Sequence, residues 1–141
     1  MKKYIKIARP DHWTKNMFII PGMVVALLLA GENEAFGAEI MPKLVLGFLA
    51  TCFIASANYV INEWLDAEFD KYHPTKKYRP VVEENVKGSV VLLEYLSLIA
   101  LGMGLSFTVS CYFAVMEAIL LLMGVLYNVK PFRTKDLPYL D

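Results

Sequence analysis

Four apolar blocks, roughly residues 17–31, 44–61, 90–107 and 111–129, limit what this chain can fold into. A helix needs about 20 predominantly apolar residues to cross the hydrocarbon core of a bilayer, and three of the blocks approach that length. The first is short unless Trp13 and its neighbours extend it, so it is expected to begin at the interface. With 57% of its 141 residues hydrophobic and a mean hydropathy of +0.44, the chain is too apolar for an ordinary soluble domain of this size. The expected class is all-α: a polytopic transmembrane helix bundle of about four helices, with residues 1–141 in a single domain.

Basic residues orient the bundle. Lys2, Lys3, Lys6, Arg9 and Lys15 precede the first block, and Lys71, Lys76, Lys77, Arg79 and Lys87 lie between the second and third. Lys130, Arg133 and Lys135 follow the fourth, whereas the 31–43 loop sets Lys43 alone against Glu32, Glu34 and Glu39. Four crossings reproduce this alternation when both termini and the 65–88 loop are cytoplasmic. The expected location is a bacterial or archaeal cell membrane, with membrane lipids around the bundle and no nucleic-acid partner. A cleaved signal peptide fits less well, because the basic leader is long, Pro21-Gly22 interrupts the apolar run and three more blocks follow. Cys52 and Cys111 fall in predicted spans without metal-ligand spacing, and read as small apolar core residues, not as a disulfide.

Local signals divide the chain further. Gly47, Ala50, Ala55, Ser56 and Ala57 put small side chains on the second span, which favours close helix packing in a membrane. The second helix is expected to continue to about Tyr72, where Pro74 disfavours helix at His73. Residues 75–85 read as a polar, basic loop bent at Pro80, and Gly88-Ser89 as the N-cap of the third span. Gly102-Met103-Gly104 and residues 107–110 predict a tight turn between the third and fourth spans.

The chemistry is concentrated on the second span. Asn58, Asn62, Asp66 and Asp70 recur every four residues, from inside the apolar block to its cytoplasmic end. Four residues advance a helix by about 400°, so these side chains form one slowly winding stripe about 18 Å long. Carboxylates near hydrocarbon are kept mainly where they have a partner or a task. Magnesium takes oxygen ligands, usually one or two carboxylates together with water and phosphate oxygens. Asp66 and Asp70 meet that requirement, Asn62 adds a neutral oxygen one turn back, and Lys76 and Arg79 follow to hold phosphate. The stripe therefore reads as a magnesium–diphosphate site. Asn62, Asp66 and Asp70 are its metal and catalytic residues, and Asn58, Lys76 and Arg79 contact the ligand. The duller reading is a solvated helix end with ordinary pairs to Lys71, Lys76 and Lys77. Two acids at i,i+4 alone favour it, and the amides of Asn58 and Asn62 inside an apolar span reverse that preference.

Other residues carry less. Glu94 lies near enough to the cytoplasmic end to snorkel, and the deeper Glu117 suits either an interhelix hydrogen bond or a cavity role. Trp13 is expected to anchor at the interface rather than touch substrate, Lys15 and Asn16 to reach phosphate or phospholipid, and His73 to be loop structure rather than a ligand.

The same residues resemble a known family, the UbiA-type intramembrane prenyltransferases. Its first signature, Asn-x-x-x-Asp-x-x-x-Asp, is met by Asn62, Asp66 and Asp70, with Glu63 where the family usually has Asp. Arg9-Pro10-x-x-Trp13-x-Lys15-Asn16 is similar to the family's opening, and His73-Pro74-Thr75-Lys76-x-x-Arg79-Pro80 to the basic stretch after the signature. Tyr127-Asn128-x-Lys130-Pro131, with Lys135-Asp136-Leu137-Pro138-x-Leu140-Asp141, resembles the approach to a second acidic cluster.

The resemblance spans the whole chain and implies nine transmembrane helices around a central cavity, of which this chain would supply the N-terminal part. Asp141 would be the first acid of the second cluster, so half of the metal site is expected beyond it, and the activity is ascribed to the full-length protein. Tyr127, Lys130 and Asp141 are implied neighbours of the diphosphate. The implied reaction moves a prenyl group from a magnesium-bound prenyl diphosphate to a lipid or aromatic acceptor in the bilayer. The basic stretch also resembles the decaprenyl-phosphate phosphoribosyltransferase branch, which uses phosphoribosyl diphosphate and a polyprenyl phosphate acceptor. Both donors carry a diphosphate, so these residues do not separate them. A third expectation, from another class, is a non-catalytic truncated membrane protein or assembly partner.

Overall fold

A computed structural model describes residues 2–30, 40–83 and 86–136. Its helices, in chain order, are α1 (Lys2–Ala8), α2 (Trp13–Asn16), α3 (Ile19–Ala30), α4 (Ile40–Asp70), α5 (Pro80–Glu83), α6 (Gly88–Val109) and α7 (Cys111–Asn128). Single 3-10 turns form at Pro10–His12, Lys76–Tyr78 and Thr134–Asp136. Among the described residues, three helices are long and apolar enough to cross a membrane: α4, α6 and α7, with peak mean hydropathies of 2.0, 1.9 and 1.7.

Among the described residues the first apolar block forms α3, whose 12 residues rise about 18 Å. Helical backbone does reach back towards Trp13: the amides of Met17 and Phe18 donate to the carbonyls of Thr14 and Lys15 at 3.3 and 3.2 Å. The 31–39 loop lies outside the described residues.

Helix α4 organises the rest. Its 31 residues rise about 46 Å, more than a bilayer core needs, so its last turns can leave the hydrocarbon and carry the acidic stripe to the surface. Ala50, Cys52, Ile54, Ala57 and Val60 on it are fully buried. Small side chains allow this closeness, as the sequence implied. A Cβ on Gly102 of α6 would lie 2.7 Å from Ile54 Cδ1 and 3.2 Å from the Ala50 carbonyl oxygen, so a larger residue would have to displace Ile54 and press on the α4 backbone. Gly102 and Gly104 are thus helical, and not the predicted turn. The turn between α6 and α7 is Ser110 alone, extended at φ −170°, with its Oγ accepting from the Phe113 amide at 3.0 Å.

Two further local expectations change. Residues 75–85 are not all irregular, because the Lys76–Tyr78 turn and α5 lie within them. Ser89 does not cap α6. Lys87 occupies that position with no side-chain cap, and its amide donates to the Tyr4 hydroxyl at 3.3 Å. That bond belongs to a small buried cluster of Ile7, Val60 and Val91 with Tyr4, Ala8, Val81 and Tyr95 around it, which ties α1 to α4 and α6. Leu92, Leu93, Leu96 and Leu101 on α6, and Met116, Ile119, Leu122 and Met123 on α7, are exposed. In water such surface is unfavourable by about 25 cal/mol per Å²; in lipid it is the expected outer face.

Candidate functional site

The acidic stripe ends where the chain turns back over it. Helix α4 stops at Asp70, and the His73 amide donates to the Asp70 carbonyl at 3.1 Å. The Nδ1 of His73 then accepts from the amides of Thr75 and Lys76, both at 3.3 Å, so His73 builds the loop, as expected. Arg79 is extended (φ −66°, ψ 144°), the conformation a residue before proline prefers. Its Nη1 reaches Asp70 Oδ2 at 2.6 Å, and Asp70 is almost fully buried.

A second basic segment arrives from beyond α7. Arg133 Nη2 lies 3.1 Å and Lys135 Nζ 2.6 Å from Asp66 Oδ1. The same Nζ lies 3.1 Å from Asn62 Oδ1 and 3.0 Å from Asn128 Oδ1. Asn128 is buried, and its Nδ2 donates to the Gly124 carbonyl at 2.8 Å, which turns its oxygen towards the lysine. Among the described residues, the non-glycine positions with positive φ are Arg9 (50°) and Arg133 (29°). Each is an arginine bonded to an acid of α4, and uncommon backbone of this kind gathers at sites that over-determine it.

Between these segments lies a cavity of about 600 Å³. Asn62, Asp66, Phe69 and Asp70 line one wall, His73, Lys76 and Arg79 another, and Tyr127, Arg133 and Lys135 the third. A second cavity of about 400 Å³ shares Asn62 and Tyr127 with it and runs between α4 and α7 past Ala55, Tyr59, Leu120 and Met123. The polar space thus continues into a mainly apolar groove.

Most of the residues singled out in the sequence meet here. Asn62, Asp66, Asp70, Lys76, Arg79 and Tyr127 all line the larger cavity. Asn58 does not: it faces the apolar groove, where its Nδ2 donates to the Leu120 carbonyl at 3.3 Å. A Cβ on Gly124 would lie 2.0 Å from Asn58 Oδ1, so a larger residue there would push the Asn58 amide aside. Lys130 lies apart from the others. It is exposed and outside the cavity lining, because the chain reaches the carboxylates only later, through the turn that presents Arg133 and Lys135. Asp141 lies outside the described residues. The sequence reading missed Arg133, Lys135 and Asn128 as site residues. Their signal was the Arg-x-Lys spacing and the amide beside Tyr127, both in the stretch that resembled the second cluster.

Neighbouring polar groups turn out to be structural. Glu63, one residue from Asn62, points elsewhere; Arg9 Nε and Nη2 donate to its Oε2 at 3.3 and 3.1 Å. Trp13 Nε1 donates to Ser56 Oγ at 2.9 Å and meets Phe53 edge-on, so it fixes the N-terminal segment on α4. Asn16 donates to Cys52 Sγ at 3.3 Å, and Lys15 is exposed. Glu117 accepts from Thr51 Oγ1 across α4 and α7, the interhelix bond. Glu94 lines a groove beside Tyr4 and Ile5.

Among the described residues, no three His, Cys, Asp or Glu side chains gather as a metal cluster. The site offers two carboxylates and amide oxygens, a donor set suited to a hard cation that also uses phosphate oxygens and water, and unlike the closed nitrogen–sulfur shell of structural zinc.

Fold and site together define an integral membrane protein, all-α, with an acidic and basic cavity at one end of its longest helix. The chain belongs to the UbiA prenyltransferase family, whose model matches residues 18–141. Similar curated proteins include decaprenyl-phosphate phosphoribosyltransferase of Corynebacterium glutamicum, 36% identical over 73% of this chain and 30% of that protein. Nodulation protein NoeC of Azorhizobium caulinodans is 34% identical over 70% of this chain and 30% of its own length. A 4-hydroxybenzoate octaprenyltransferase of Paraburkholderia phytofirmans is 28% identical over 69% of this chain and 33% of its own. The chain therefore spans about a third or less of these relatives. No solved structure matches it.

Proposed function

We propose that this chain carries the donor-diphosphate half of a membrane-embedded, magnesium-dependent prenyltransferase, with the larger cavity on the cytoplasmic side. The observation that carries the reading is the meeting of Asn62, Asp66 and Asp70 with Lys76, Arg79, Arg133 and Lys135 around one 600 Å³ space. Asp66, Asp70 and Asn62 would hold the ion. Magnesium bound there would neutralise the charge that develops on the departing diphosphate. Arg79, fixed in orientation by Asp70, presents a fork to phosphate oxygens, and the exposed Lys76 on the same wall adds a point charge. Arg133 and Lys135 close the third wall. The groove between α4 and α7 suits the apolar part of the donor, which would leave the reacting carbon near Asn62 and Tyr127, where the two cavities join. The acceptor, a lipid or aromatic compound, would approach from the bilayer.

A second reading keeps the site and changes the donor. Four cationic side chains line the cavity, besides His73, more than a diphosphate strictly requires. Phosphoribosyl diphosphate carries a further phosphate and ribose hydroxyls that such groups could bind, and a relative at 36% identity is named for that transfer. The two readings part in one experiment. Membranes containing the full-length protein are incubated separately with radiolabelled prenyl diphosphate and radiolabelled phosphoribosyl diphosphate, and lipid-extractable product is counted. The first reading predicts incorporation from the prenyl donor. Label entering lipid only from the phosphoribosyl donor would replace it with the second.

A further inference from the structure

Lys135 is bonded more fully than its role as one phosphate contact among several would require. An ammonium has three donors and no acceptor, and here all three have oxygen partners: Asp66 Oδ1 at 2.6 Å, Asn128 Oδ1 at 3.0 Å and Asn62 Oδ1 at 3.1 Å. The Lys135 side chain is only 11% exposed. One carboxylate and two amide oxygens converging on a positive centre is the donor set that a hard cation takes. Neutralising Asp66 does not explain the arrangement, because Arg133 already bonds the same carboxylate oxygen. Nor is the shell makeshift: the Asn128 amide is held in place by its bond to the Gly124 carbonyl, inside a buried residue.

We propose that the Lys135 ammonium occupies the cation position of this site in the metal-free protein, and that a divalent ion must displace it. The proposal rests on the magnesium–diphosphate reading above and adds an order to it. Ammonium and metal compete for Asn62 and Asp66, so the ion alone binds weakly. A diphosphate changes the balance, because it offers the displaced ammonium new oxygen partners inside the same cavity. Metal and diphosphate then strengthen each other's binding through Lys135, by equal factors, as linkage requires. The lysine suits such an exchange. Its stem is flexible and rises from a short 3-10 turn, while Asn62 and Asp66 are fixed on the long helix.

Binding of manganese, a paramagnetic stand-in for magnesium, tests this by the electron paramagnetic resonance signal of free ion over the protein purified in detergent micelles. Lys135→Met should bind manganese alone at least about tenfold more tightly than the unchanged protein, since the competing state is removed. Lys135→Arg, which keeps a cation, should remain weak. Lys77→Met removes a nearby exposed cation that lies outside the cavity lining, and should shift affinity by no more than about twofold. Adding methylene diphosphonate should tighten manganese binding strongly in the unchanged protein and much less in Lys135→Met. Equal or weaker manganese binding by Lys135→Met would overturn the proposal while leaving the metal site standing. A gain in Lys77→Met as large as that in Lys135→Met would also overturn it, as a general field effect. No manganese binding by any variant, with or without the diphosphonate, would overturn both the proposal and the reading beneath it.

Discussion

If the full-length protein is the transferase proposed above, Asp66→Asn and Asp70→Asn are each expected to lower its turnover in membranes at least about 100-fold, as when stabilisation of developing charge is lost. The substitution keeps the shape and one oxygen and removes the charge, so the effect reports electrostatics rather than packing. The two should differ in one respect. Asp70 is buried and holds Arg79 at 2.6 Å, so its asparagine variant also loosens a phosphate-binding arginine. Asp66 lies between Arg133 and Lys135, and its asparagine variant leaves two cations crowded without a carboxylate. Lys71→Ala is the control: Lys71 is exposed and outside the cavity, and turnover should change little. The measurement is the initial rate at saturating donor over a range of magnesium concentrations. Near-normal rates in both variants, with magnesium still required, would move the site elsewhere.

Arg79→Ala should be nearly as damaging, by a different route. It leaves the Asp70 carboxylate buried without its partner, which commonly destabilises by about 3–5 kcal/mol. It also removes the only forked donor on the loop facing the stripe. Arg79→Lys returns the charge without the fork and should recover stability more than function. The expected signature is a donor KM raised about tenfold or more in Arg79→Lys, with thermal stability close to that of the unchanged protein. Arg79→Ala should lose both. A lysine variant with unchanged KM would mean that the guanidinium serves Asp70 alone.

Much of this was legible in the sequence, for reasons that differ by residue. The four-residue repeat from Asn58 to Asp70 survives folding because it lies on a single helix, where spacing alone fixes the face. Even so, the stripe divides: Asn62, Asp66 and Asp70 line one cavity and Asn58 the next, because a four-residue step overshoots a helical turn by about 40°. The break after Asp70 and the return of Arg79 were also readable, since Pro74 and Pro80 restrict the residues before them. The third wall was not. Lys130, Arg133 and Lys135 follow α7 outside any long helix, where no periodicity says which cation points inward, and the resemblance named only Lys130 as a neighbour of the diphosphate. Glycine spacing misled in the same way. Gly102 reads as a turn residue in one dimension, but it is the place where α4 crosses α6, and only the approach of Ile54 and the Ala50 carbonyl shows this.

The central claim is that the α4 stripe and the basic segments facing it bind a metal-borne diphosphate. Calorimetric titration of the purified protein with methylene diphosphonate, with and without magnesium, tests it most directly, because it requires neither acceptor nor turnover. The account predicts binding that needs magnesium, is lost in Asp66→Asn and Asp70→Asn, and persists in Lys71→Ala. Binding of equal strength without magnesium, or binding unaffected by both aspartate substitutions, would contradict it.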